Sequence, residues 1–297
     1  MLRLRSWMFV PGNSEKMITK AFGLDLDVAM LDLEDGVVPA LKPAARPVVA
    51  AALSSPRAGA GPVRYVRVNG VDTGELDADL DAVVVDGLEG LVLPKVESVE
   101  QVRAVAATLD RLERERGLRA GTVRFMLAIE TAAAIIAAPA LAVASPRVSG
   151  LMFGAEDYSR DLGLPTVRTG HARDFIYARS AIVVAAAAAR VASVDGVWPD
   201  LTDVEGLRRD AFLARDLGFG GKSMIHPGQI APVNEIFSPT GEEIDYARTL
   251  IAEFEEAVAD GRGSISFRGQ LVDRPIYERA RATLRLGERA VNEGAAS

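Results

Sequence analysis

Eight short runs of β-branched and large apolar residues recur as far as Ile225: Trp7–Val10, Val28–Leu33, Val63–Val68, Gly90–Leu93, Val123–Ile129, Leu151–Phe153, Gly196–Trp198 and Ser223–Ile225. Helical patterns fill the intervals. Within Ser98–Arg116, for example, Val99, Val102, Val105, Ala106 and Leu109 fall three and four residues apart, and Gly117 supplies a stop. Strand and helix in alternation, with crossovers long enough for right-handed parallel connections, predict an α/β fold, a (β/α)₈ barrel; a doubly wound open sheet is the alternative. At 297 residues and 49% apolar content the chain can bury a core of that size. After Asp260-Gly-Arg-Gly263 come an extended piece, a turn near Asp273-Arg-Pro275 and a last helix, one element more than a closed barrel requires. The expected division is a barrel over 1–259 and a tail over 260–297 that acts as a lid, an oligomer contact, or both.

Composition removes several classes of function. There are no cysteines, so disulfides, thiolate metal sites and a cysteine nucleophile are excluded, and a reducing, cytoplasmic compartment is expected. A formal charge of -7 without a basic cluster interleaved with aromatics argues against nucleic-acid binding. The alanine-rich stretch Ser180–Ala192 is too short to span a bilayer and reads as a buried helix. No Gly-x-Ser-x-Gly elbow, Walker loop, dinucleotide glycine fingerprint or zinc-protease helix appears. Pro11-Gly-Asn-Ser14 reads as the cap of a helix carrying Lys16 and Met17 more than as a phosphate loop.

In a parallel barrel the chemistry gathers where strands end. Here two runs stop abruptly at carboxylates, Met126–Glu130 and Leu151–Asp157, and the other ends offer Asp32, Glu34 and Asp35, Arg67 and Asn69, Lys95 and Glu97, Asp200, and His226 with Gln229. Glu130 and Asp157 on neighbouring strands suit a hard divalent cation, whereas His171 and His226 are too few for a zinc site. The small residues of Gly154-Ala-Glu156 let backbone N–H groups approach a ligand carboxylate. Strand alternation places Tyr65, Arg67 and Asn69 on one side, so Arg67 points inward near the rim. There it either stabilises an oxyanion or pairs with Glu34 or Asp35, and the two roles are compatible. His226-Pro-Gly-Gln229 reads as a turn, and a lone carboxylate in any of these places would ordinarily be a cap or a surface ion pair.

Taken in order, Phe9-Val-Pro-Gly12, Asp32-Leu-Glu-Asp-Gly-Val37 with Lys42 and Arg46, Val66-Arg-Val-Asn69, Leu93-Pro-Lys-Val96, Ile129-Glu130, Phe153-Gly-Ala-Glu-Asp157, Ile225-His-Pro-Gly-Gln-Ile230 and the tail through Asp273-Arg-Pro275 resemble the HpcH/HpaI aldolase and citrate lyase superfamily, and within it the citrate lyase β-subunit-like CoA-ester lyases. The resemblance implies a TIM barrel in homotrimers or hexamers, with Mg²⁺, or Mn²⁺ in its place, on Glu130 and Asp157. It implies reversible cleavage of a 3-hydroxyacyl-CoA, such as malyl- or citramalyl-CoA, to acetyl-CoA and an α-keto acid. Arg67 would then stabilise the enolate, with Glu34 and Asp35 beside it. Gly154, Ala155 and Glu156 would hold the substrate carboxylate, and Phe9, Lys16, Lys42 and Arg46 would contact CoA or shape its entrance. Asp273 would act as the acid of a neighbouring subunit. His226 in place of asparagine favours free CoA over an acyl-carrier protein. The alternatives are a citryl-carrier-protein lyase β subunit, an aldolase working without CoA, and a non-catalytic assembly subunit.

Overall fold

A computed structural model describes residues 4–57, 59, 61–165 and 175–294, with side chains through 287. His171 lies outside them. The chain divides into two units, residues 1–234 and 235–297.

The first unit is a closed barrel of eight parallel strands in sequence order. These are β1 (Ser6–Pro11), β2 (Val28–Asp32), β3 (Val63–Arg67), β4 (Gly90–Leu93), β5 (Arg124–Ile129), β6 (Val148–Phe153), β7 (Ala192–Asp195) and β8 (Gly221–Met224). Closure comes from β1 pairing with β8, Trp7 opposite Ser223, which excludes the open-sheet alternative. Helices α1 (Glu15–Phe22), α2 (Lys42–Leu53), α3 (Leu76–Val83), α4 (Val99–Glu115), α5 (Ala132–Leu141), α6 (Ala155–Asp161), α7 (Ile176–Ala189) and α8 (Val204–Leu217) form the crossovers. Among the described residues no helix is long and apolar enough to cross a membrane.

Local chemistry sets the helix ends. Ser98 and Gln101 cap α4 reciprocally, a capping box that accounts for its start one residue after the expected Ser98. Ser14 caps α1, accepting from the Met17 N–H at 3.4 Å, as the sequence suggested.

One strand lies elsewhere than expected. The seventh is Ala192–Asp195, and Gly196–Trp198 follows it as loop. Arg190 ends α7 in the left-handed conformation, so the strand begins almost at once. Its polar Ser193 and Asp195 concealed it, because Asp195 faces outward into a buried ion network with Arg179 and Lys222 rather than into water.

Trp7, Val28, Met30, Val63, Tyr65, Val92, Met126, Ala128, Met152 and Val194 fill the barrel interior. Gly90 is required there, since a Cβ would lie 2.1 Å from the Tyr65 ring. Advancing two residues from this layer, which is one period of strand alternation, reaches Phe9 from Trp7, Asp32 from Met30, Arg67 from Tyr65 and Glu130 from Ala128. The apolar layer therefore supports the polar one directly.

The second unit begins at Glu235, within α9 (Ile230–Ile236), so α10 (Gly241–Ala259) belongs with the tail and not with the barrel. Hairpin β9 (Ile265–Phe267) and β10 (Gln270–Val272) and helix α11 (Arg274–Gly294) complete it. It has its own core, in which Leu250, Phe254, Ile265, Phe267, Val272 and Tyr277 meet and the Phe254 and Tyr277 rings stack at 4.9 Å.

Candidate active site

A cavity of about 970 Å³ opens at the carboxyl ends of the strands, and Phe9, Lys16, Arg67, Glu130, Asp157 and His226 are among the residues of its wall. Gly154, Ala155, Glu156 and Asp35 also reach it.

Arg67 is held from two sides. Asp32, directly opposite in the β2–β3 register, accepts from Nε at 2.8 Å and Nη2 at 2.7 Å. Glu34 stands 2.9 Å from Nη1. The Phe9 ring covers the guanidinium face at 4.6 Å. Asp32 is itself fixed by the N–H groups of Glu34 and Gly36, each at 2.9 Å. Burial works against the charge on Arg67, but the Asp32 hydrogen bonds and the nearby carboxylates outweigh it and raise its pKa. The cation is thus permanent and fixed in direction. The sequence named Glu34 or Asp35 as its partner, and Glu34 is one; the bidentate partner it missed is Asp32, and the signal for it was that both residues continue inward-facing rows.

Glu34 is 3% exposed and stands behind the cavity wall, bonded to Lys95 Nζ at 2.6 Å. Burial raises its pKa against the pull of Arg67 and Lys95. Lys42 and Arg46 do not line the cavity. Lys42 Nζ donates to the Glu34 carbonyl at 3.1 Å and to Asn69 Oδ1, while Arg46 binds Asp79 at 2.7 Å and the Glu75 carboxylate. Asp79 in turn accepts from Asn69 N at 2.8 Å and Nδ2 at 2.7 Å. This chain of bonds fixes the backbone after β2 and β3, and so shapes the rim from behind. Lys16, by contrast, lines the cavity.

Glu130 is 3% exposed, and one oxygen accepts the Lys95 N–H at 2.7 Å. Its pKa is pushed up to about 8 by burial first, then by the carboxylates of Glu34 and Asp157, against the pull of Arg67 and the Lys95 N–H. A Cβ on Gly154 would lie 2.5 Å from its other oxygen, so only glycine leaves that side clear. Asp157 opens α6 and pairs with the exposed Arg160 at 2.7 Å. Among the described residues no three acidic, histidine or cysteine side chains form a closed metal cage. Two carboxylates facing one cavity, Glu130 buried beside other acids and Asp157 paired with an exposed arginine, fit an Mg²⁺ ion that keeps water and substrate oxygens as its remaining ligands.

The other rim residues have local duties. His226 Nδ1 accepts the Gly228 N–H at 3.0 Å, the turn reading, although its ring also reaches the cavity wall. Gln229 donates to the Trp198 carbonyl at 2.9 Å, and Asp200 caps its own turn through Thr202 at 2.8 Å. Asp273 lies in the second unit, where its carbonyl accepts the Tyr277 N–H at 3.0 Å at the start of α11.

A closed parallel barrel with a clamped arginine and two carboxylates on one rim is an enzyme architecture. Residues 5–227 match the family model HpcH/HpaI aldolase/citrate lyase. The chain is 40% identical over 282 residues to the citrate lyase subunit beta of Leuconostoc mesenteroides subsp. cremoris, covering 95% of this chain and 92% of that one. It is 34% identical over 293 residues to the mitochondrial citramalyl-CoA lyase of Homo sapiens, covering 95% and 85%. Among solved structures, the protein CitE from Mycobacterium tuberculosis in complex with magnesium, acetoacetate and coenzyme A superposes with a TM-score of 0.79 at 33% identity, covering 96% of this chain and 98% of that one. The chain belongs to the HpcH/HpaI aldolase/citrate lyase family.

Proposed function

We propose that this protein is a Mg²⁺-dependent carbon–carbon lyase that cleaves a 3-hydroxyacyl-CoA reversibly into an acyl-CoA and an α-keto acid. The observation that carries this reading is Arg67, clamped by Asp32 at 2.8 and 2.7 Å and facing the same cavity as Glu130 and Asp157.

Breaking the bond between the α and β carbons of such a thioester releases the β-hydroxyl proton to solvent as that oxygen becomes the keto oxygen, and leaves an electron pair on the α carbon, delocalised onto the thioester oxygen. The guanidinium of Arg67 faces the cavity in which that oxygen would lie, and its clamp means that little reorganisation accompanies the appearance of charge. Mg²⁺ held by Glu130 and Asp157 would supply Lewis acidity toward the carboxylate and hydroxyl oxygens of the substrate. Backbone N–H groups at Ala155 and Glu156 orient the substrate carboxylate. Lys16 meets the phosphates of CoA at the mouth of the cavity, and Lys42 and Arg46 act only through the rim. Asp35 at the rim and Glu34 behind it set the field around Arg67. Asp273 of a neighbouring subunit delivers the proton that converts the enolate to the acyl-CoA, in a homotrimer or hexamer located in the cytoplasm. A second reading, a citryl thioester carried on a protein, is favoured by the 40% identity to a citrate lyase subunit beta.

The test is release of acetyl-CoA or propionyl-CoA from malyl-, methylmalyl-, citramalyl-, hydroxymethylglutaryl- and citryl-CoA, with Mg²⁺ and with EDTA. Metal-dependent cleavage of one member is the expected result. Cleavage of none, with a citryl-carrier protein also inert, would overturn the reading.

A further inference from the structure

We propose that Lys95 is a positioning residue that ties the metal half of the site to the arginine half; this rests on the reading of Glu130 as a Mg²⁺ ligand and Arg67 as the enolate's partner. Among the described residues other than glycine, Lys95, Arg190 and Arg268 have positive φ. Arg190 ends a helix and Arg268 sits in the β9–β10 turn, places where that conformation is required by the geometry of the chain. Lys95, with φ 52, is neither. It follows β4 and Pro94, at a point where glycine would carry no conformational cost. A side chain kept in a sparsely populated conformation beside a functional site is held there by what it contacts.

Both ends of Lys95 are used. Its N–H donates to Glu130 at 2.7 Å. Its ammonium donates to Glu34 at 2.6 Å and stands 3.5 Å from Asp35. The other oxygen of Glu34 is the one 2.9 Å from Arg67 Nη1, and this oxygen has no hydrogen bond of its own. The rotamer of Glu34, and through it the second support of Arg67, therefore rests on the Lys95 ammonium. The left-handed turn of the backbone is what sends the N–H toward β5 and the side chain back toward β2 from a single residue. The ammonium also serves as the resident cation of a carboxylate-rich rim, which Asp157 shares.

Lys95→Met keeps most of the stem and removes the charge. Lys95→Gly accepts the backbone conformation without strain, and Lys95→Arg keeps a cation. Cooperative thermal unfolding establishes that each variant is folded. Loss of a resident cation is expected to tighten Mg²⁺ binding, read by calorimetry, roughly tenfold in the Met and Gly variants. In both, kcat falls at least roughly tenfold while the KM for the thioester stays within about threefold, because ground-state binding is not what Lys95 supports. Lys95→Arg restores both quantities toward wild type. Wild-type Mg²⁺ affinity with wild-type kcat in Lys95→Met, or an Arg variant no better than the Met variant, would overturn the proposal. A crystal structure of metal-free Lys95→Met decides it independently of turnover: Glu34 is expected to leave Arg67 Nη1, and a Glu34–Arg67 contact unchanged from 2.9 Å would overturn it. Wild-type protein that bound no Mg²⁺ would count against the functional reading instead, and that crystal structure would still decide the role of Lys95.

Discussion

Replacing Glu130 by glutamine should stabilise the metal-free protein at neutral and alkaline pH. Ionised Glu130 is 3% exposed, and its pKa is raised from an ordinary 4.5 to about 8, chiefly by burial. A group whose pKa is raised by folding binds its proton more tightly in the folded chain, so stability falls as pH rises from the unfolded value toward the folded one. For Glu130 that window runs from 4.5 to about 8. At about 1.4 kcal/mol per pH unit the full cost above the window is about 5 kcal/mol, an upper bound because relaxation and water entry reduce it. Glutamine keeps an acceptor for the Lys95 N–H, which donates at 2.7 Å, and has no charge to bury. Urea unfolding in EDTA at about pH 5 and about pH 8 should show the two proteins close together at the lower pH, with the variant ahead by about 2–5 kcal/mol at the higher. Added Mg²⁺ should raise the stability of the wild type and leave the variant unchanged. A variant less stable than wild type in EDTA at the higher pH would refute the electrostatic reasoning, and an equal Mg²⁺ response in both would refute the ligand assignment.

Three further outcomes are expected. Arg67→Lys keeps a cation but loses the two-pronged grip on Asp32, so kcat should fall by about 10³-fold while Mg²⁺ affinity changes little; calorimetry and initial rates separate the two. Gly154→Ala puts a methyl group 2.5 Å from a Glu130 oxygen. It should weaken Mg²⁺ binding by about 10–100-fold, read by calorimetry, with the barrel intact by circular dichroism. Asp273→Ala should lose turnover but still bind the thioester, and mixing it with Arg67→Ala should recover part of the activity if the acid crosses between subunits; no recovery, in oligomers shown to exchange, would place it elsewhere.

The barrel was legible because strand alternation is a period-2 signal and its inward row is apolar up to the rim. Arg67 and Glu130 could be picked out because a charge that continues such a row to the rim meets solvent, a ligand or a partner there, and Asp157 because it follows the end of β6 within the first turn of α6. The seventh strand escaped because its residues are judged polar one at a time, whereas Asp195 is paid in full by Arg179 at 2.8 Å and Lys222 at 2.6 Å, partners distant in sequence. Lys42 and Arg46 were assigned, on the strength of a shared motif, to contact CoA or to shape its entrance, and they brace the rim from behind. Their actual partners, Asn69 and Asp79, follow from packing between β3 and α3, which spacing along the chain does not encode. The positive φ of Lys95 was equally invisible, since lysine carries no compositional mark of that conformation.

Two buried carboxylates in this one barrel show why the rim fits a cation and the opposite case does not. Burial pushes the pKa of Asp210 up, yet Lys222, at 2.5 Å, and Arg179, at 3.0 Å, overcome it and hold the group below its ordinary range. Glu130 meets the same burial, but two of its near neighbours are carboxylates, and its pKa goes up. Asp210 therefore contributes stability that is present above its unfolded pKa and lost as pH falls through the folded one, the reverse of Glu130. Removing its charge leaves Lys222 and Arg179 buried without a full counterion, so Asp210→Asn should cost about 3–5 kcal/mol in urea unfolding at neutral pH, unaffected by Mg²⁺. Opposite signs for Asp210→Asn and Glu130→Gln, measured on the same protein in EDTA, separate a carboxylate whose cation is built into the fold from one whose cation must be bound. Equal signs would remove the electrostatic case for a metal at Glu130.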